Sequence, residues 1–150
     1  MMRVVPMPER RTSSSITKGI QKLARQIDSK SETQQVSVQP GEGCSLGSCF
    51  DNVRAVVRRH GGSTQHGWRM HELAGVYVEG QFHAVWRSPE GSLVDVTPRT
   101  DGLTMILFLP DSNAVWEGED VPPRRLMLHE KPCYCGSGMP FKLCHGVGED

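Results

Sequence analysis

Five cysteines and six histidines hold most of the reactive chemistry of this chain, and they are unevenly placed. Three cysteines crowd near the C-terminus, in Pro132-Cys133-Tyr134-Cys135-Gly136-Ser137-Gly138 and then Cys144-His145-Gly146. Structural zinc takes four sulfur or nitrogen ligands in a tetrahedron. Cysteines one residue apart reach one ion if the backbone turns sharply around it. Gly136-Ser137-Gly138 offers that turn, with amides free to face the thiolates. Cys133, Cys135, Cys144 and His145 are therefore the expected ligand set. So short a segment cannot fold on apolar burial alone, so the metal would supply its folding energy.

Cys44 and Cys49 remain. Cys49 opens a segment with apolar Phe50, Val53, Ala55, Val56 and Val57 that is stopped by Gly61-Gly62, which predicts a helix over 49–60. A thiol at a helix start feels the positive end of the dipole, which favours nucleophilicity. Such a nucleophile needs a base, usually His, and a group that orients it. His83, in Phe82-His83-Ala84-Val85-Trp86, and Asp95, in Leu93-Val94-Asp95-Val96-Thr97, are the candidates. Antiparallel neighbours share a face when directly opposite. A turn centred on Pro89 sets His83 against Asp95, whereas a two-residue loop at Pro89-Glu90 sets it against Val96. The backbone N–H of Cys49 and the side chains of Gln39 and Asn52 are candidate oxyanion donors.

The same residues have plain readings. A cysteine at a helix start is often a small buried residue. His83 could be a satisfied half-buried histidine, Asp95 a turn cap, and Trp68 and Trp86 core. Cys44 and Cys49 could join His60, His66 or His71 around a second metal, although the spacing is loose, or could form a redox disulfide. Otherwise the three histidines read as surface groups.

The elements that must position these groups are legible in outline. Between Met1 and Lys30 there are seven basic residues against two acidic ones. Ile16, Ile20, Leu23, Ala24 and Ile27 make a helical stripe there, with Ser13 to Ser15 as N-caps. This helix packs on the body or serves as a basic arm for an acidic partner or a nucleic acid. Residues 1–43 are thus read as a basic arm with an amphipathic helix and a linker, the linker running from Ser29 to Gly43. Residues 44–110 are the body. Strands are expected over Trp68 to Leu73, Gly75 to Val78, Gln81 to Arg87, Leu93 to Thr97 and Met105 to Leu109, punctuated by turns at Glu79-Gly80 and Ser88 to Gly91. Residues 111–130 read as a second linker and 131–146 as the zinc knuckle. One helix ahead of consecutive strands predicts an α+β fold, with that helix packed on an antiparallel sheet.

Charge and composition narrow the classes. Formal net charge is zero, which disfavours a protein built mainly to hold nucleic acid. No apolar run approaches the ~20 residues of a membrane span, and no secretory leader is recognisable. Odd, clustered cysteines fit a reducing compartment, so the expected location is cytoplasmic.

The tail pattern Cys-x-Cys-x8-Cys-His resembles the SEC-C motif, found at the C-terminus of the SecA translocation motor and in small modules of many bacterial proteins. Pro132, the Gly-Ser-Gly turn and Phe141-Lys142 also match. The resemblance implies zinc and docking on a protein partner, such as the ribosome or the translocation and chaperone machinery. The body resembles the papain and transglutaminase-like superfamily, on Cys49, Gly61-Gly62 with Gly67-Trp68, His83-Ala84-Val85-Trp86 and Val94-Asp95-Val96-Thr97. Carried over by position, Cys49 is the nucleophile, His83 its base and Asp95 the orienting group. The implied activity is hydrolysis or acyl transfer at an amide through a cysteine thioester. The alternative is the same fold without chemistry, a zinc-dependent interaction adaptor.

Overall fold

The computed structural model describes residues 15–73, 76–114 and 123–128. The four expected zinc ligands, the N-cap candidates Ser13 and Ser14, and residues 115–122 and 129–130 of the second linker lie outside them. Among the described residues no helix is long and apolar enough to cross a membrane.

The order is α1 (Lys18–Ile27), β1 (Gln34–Val38), α2 (Cys49–His60), β2 (Ser63–Leu73), β3 (Tyr77–Arg87), β4 (Leu93–Asp95), β5 (Met105–Pro110) and β6 (Arg124–Leu128). The first helix forms on the expected stripe, but its N-cap is Thr17, whose Oγ1 accepts from Ile20 N at 3.1 Å. The second begins at Cys49 and ends at His60 as the sequence predicts, with Gly61 at φ 77° as its C-cap.

The expected open antiparallel sheet under a single helix is overturned. The strands run β2-β5-β1-β4-β3, and β2 pairs again with β3, so five strands close into a barrel with β6 added to β3. The residue that changes the architecture is not one residue but a strand: β1 lies within the segment expected as linker. It enters between β5, antiparallel, and β4, parallel, so the sheet is neither open nor purely antiparallel. Closure removes the exposed edges that an open sheet of these strands would carry. The turn expected at Glu79-Gly80 is absent, and β3 continues through it, paired with β2 from Leu73↔Tyr77 to Ser63↔Arg87.

Strand alternation separates two faces. Val36, Val85, Ile106 and Phe108 point inward with Val38 and Leu93. On the outer face, Ile20, Leu23 and Ala24 of α1 cover Trp68, Met70, Val78, Phe82, Leu107 and Leu109. Elsewhere on that face, Val53 and Val56 of α2 pack on Ala84 and Val96. Each such large side chain taken from water contributes about 1.5–3 kcal/mol. The indole of Trp86 donates to Gly61 O at 2.8 Å and ties the end of α2 to β3.

Candidate active site

His83 belongs to the inward row of β3, two residues before Val85. Beyond Val85 this row is polar: His83, then Gln81, then Glu79. Across the hairpin β2 presents Gly67 opposite His83, Arg69 opposite Gln81 and His71 opposite Glu79. One end of the barrel interior is therefore a polar mouth, not an apolar core.

The β3–β4 register pairs Trp86 with Val94 and Arg87 with Leu93, so the turn is centred on Glu90 rather than Pro89. Neither expected register occurs. The shift is two positions from direct opposition of His83 and Asp95, so both residues keep the same face and meet diagonally. His83 Nε2 lies 3.1 Å from Asp95 Oδ1, with the carboxylate 1% exposed and the imidazole residue 9%.

Cys49 is the first residue of α2, lines the same cleft as His83, and lies close enough to raise the His83 pKa. With Nε2 facing the carboxylate, Nδ1 is the nitrogen left for the thiol. Burial by itself would lower the His83 pKa. The hydrogen bond to Asp95, the nearby Cys49 thiol and the charges of both outweigh it, raising the pKa from 6.5 to about 9. The imidazole therefore holds its second proton at neutral pH.

A polar strut fixes this geometry. Asn52, buried one turn into α2, accepts from Ser45 N at 3.0 Å and donates to Ser45 O at 2.8 Å. It also donates to Thr97 Oγ1 at 3.1 Å, and Thr97 N donates to Asp95 Oδ1 at 3.3 Å. The loop before Cys49 and the strand end bearing Asp95 are thus held by one amide. This engagement removes Asn52 as an oxyanion donor, and Gln39 donates to Ser37 Oγ at 3.3 Å away from the cleft. The Cys49 backbone N–H has no acceptor among the described residues. It remains the available donor.

The three side chains line a cleft of about 480 Å³, with Arg69, Gln81 and Arg99 among its other walls. That volume suits a small ligand or one or two side chains of a larger one. Sequence reading missed Arg69, Gln81, Arg99 and Asp101. Gln81 was findable, since a residue two before His83 on a strand shares its face. The others needed the pairing of β2 and the path after β4.

Other expectations for the body are redirected. Cys44 and Cys49 are both free thiols, and Cys44 packs with Val53, Val56 and Val96. No three His, Cys, Asp or Glu side chains group as a metal site among the described residues. His60 faces the Trp86 ring at 6.3 Å, and His66 stacks on Phe82 at 5.7 Å. His71 Nε2 meets the buried Glu79 Oε1 at 2.9 Å. Burial, then Arg54, lowers the His66 pKa. His60 is exposed, as expected of a surface group, whereas His66 and His71 are half-buried and engaged in packing and pairing.

The fold and site together describe a small closed barrel whose polar mouth brings together a cysteine and a hydrogen-bonded histidine–aspartate pair. No family model, curated protein or solved structure matches the chain.

Proposed function

We propose that this protein is a cysteine-dependent amide hydrolase or acyl transferase whose tail is a zinc knuckle that docks it on a protein partner. The observation that carries the catalytic part is the series Cys49–His83–Asp95, drawn from three elements and opening on a cleft. In the proposed reaction Cys49 Sγ attacks the carbonyl carbon of the substrate amide, and the thiol proton resides on His83. The Cys49 N–H faces the oxyanion. His83 delivers the proton to the departing amine as the carbon–nitrogen bond breaks, leaving a thioester on Cys49. Water or a second amine then attacks the thioester and gives its proton to His83, and the carbon–sulfur bond breaks to return Cys49 to its thiolate beside the protonated imidazole. Asp95 holds the ring orientation and offsets its charge.

The knuckle rests on the spacing of Cys133, Cys135, Cys144 and His145 alone. Iodoacetamide tests the catalytic part, with peptide mapping by mass spectrometry. Cys49 should be alkylated at least about tenfold faster than Cys44 near neutral pH, and His83→Ala should erase the difference. Equal, slow alkylation of the two thiols would leave the zinc-dependent adaptor as the better reading.

A further inference from the structure

Among the described residues, the charged side chains around the cleft are ion-paired, except Arg69. Arg99 is held on Asp101, with Nε at 3.0 Å from Oδ1 and 3.1 Å from Oδ2. Asp95 takes His83, and Glu79 takes His71 and Arg124. Arg69 has no carboxylate within ion-pairing distance among the described residues, and its hydrogen-bond partner is the neutral Gln81 Oε1. A guanidinium carries five N–H donors and stays charged at any physiological pH, and among the described residues Gln81 is its one hydrogen-bond acceptor. Withdrawing an unpaired cation from water is costly, and a site that does so without an internal counter-ion is suited to one from outside.

Position gives the reach. Arg69 stands opposite Gln81, and Gly67 stands opposite His83, so the guanidinium arises two residues along β2 from the catalytic histidine. Two strand residues span about 7 Å. Arg99 lines the same cleft, and its positive charge, after burial, is the next largest influence lowering the Arg69 pKa, opposed by the carboxylates of Asp95, Asp101 and Glu79, none of them within ion-pairing distance. A bound anion would relieve that repulsion.

We infer that Arg69, with Gln81 holding it in place, is a specificity-determining residue that selects acyl donors bearing a carboxylate a few bonds from the amide attacked by Cys49. This inference rests on the catalytic reading for the word substrate, but the positively charged subsite itself does not depend on it.

The test uses the full chain and a matched pair of alkylating agents, N-bromoacetyl-β-alanine and uncharged N-propylbromoacetamide. Each places its bromomethylene at the thiol, and the first adds a carboxylate at about the right reach. The readout is the ratio of Cys49 labelling rates within each variant, so a change in thiol reactivity common to both reagents cancels. The wild type should favour the acid by about tenfold or more, a charge-assisted hydrogen bond's worth. Arg69→Gln should bring the ratio close to one. A ratio close to one in the wild type, or an unchanged ratio in Arg69→Gln, overturns the inference. Should that variant not fold, protection in the wild type decides. N-acetyl-β-alanine should slow labelling by the neutral reagent and its carboxamide should not; equal effects overturn the inference. Failure of the catalytic reading looks different: the neutral reagent then labels Cys49 no faster than Cys44, whatever the ratio.

Discussion

At the scale of single residues, the state of His83 governs the site. Its pKa of about 9 in the folded chain lies above the ordinary 6.5. A raised imidazole pKa means that the folded state binds the proton more tightly than the unfolded chain. The resulting stabilisation is fully present below about pH 6.5 and is lost as pH rises through about 9. The shift corresponds to on the order of 3 kcal/mol. Thermal unfolding followed from about pH 6 to pH 10 should show stability falling across that window, and His83→Gln should flatten the fall. A profile that rises or stays level in the wild type would falsify the Cys49–His83–Asp95 coupling. Asp95→Asn should lower the His83 pKa, because burial then acts against a weaker set of hydrogen bonds; histidine titration by NMR reads this directly.

At the scale of elements, the site depends on α2 being held at one end against β4 and at the other against β3. Asn52 performs the first task through Ser45 and Thr97. Asn52→Ala removes three hydrogen bonds and leaves buried polar groups unpaired, a loss of about 2–3 kcal/mol. The same variant should slow iodoacetamide at Cys49, since the loop preceding the nucleophile is freed. Unchanged Cys49 labelling in a destabilised Asn52→Ala protein would show that the strut serves the fold alone. Gly67 marks a second dependence. A Cβ there would lie 2.2 Å from Leu109 O and 2.6 Å from Phe108 Cζ, where β2 closes on β5. Gly67→Ala must push the strands apart, and a loss of several kcal/mol is expected in denaturant unfolding. A loss below about 1 kcal/mol would mean the seam is loose.

For the whole molecule, barrel closure and the split of its interior are the features with functional consequence. The inner row is apolar where β4, β1 and β5 meet and polar where β3 leaves β4 to pair with β6. That divergence opens the mouth in which the charged groups stand, buried but reachable from the cleft. The tail adds the remaining prediction. Full-length protein should hold about one zinc per chain by elemental analysis, and Cys135→Ser or His145→Ala should abolish tight retention. Zinc retained by both variants would reject the four-ligand set.

Local chemistry determined what was readable from the sequence alone. The helix over 49–60 followed from its apolar spacing and its glycine stop. The three reactive residues followed from their types and from a helix start and two strands, and these do meet. The linker over 29–43 hid β1, although Val36 and Val38 alternate with Gln35 and Ser37 in the pattern of a half-buried strand. Five residues are too short to outweigh their polar flanks, and a parallel partner nearly sixty positions away leaves no local trace. Register was likewise beyond reach, since turn composition between Ser88 and Gly91 permits several centres; only strand pairing chose the one that keeps His83 and Asp95 on a shared face. The unmatched charge of Arg69 was invisible for the same reason: whether a cation has a counter-ion depends on every neighbour that folding brings near it, and no stretch of chain contains that set.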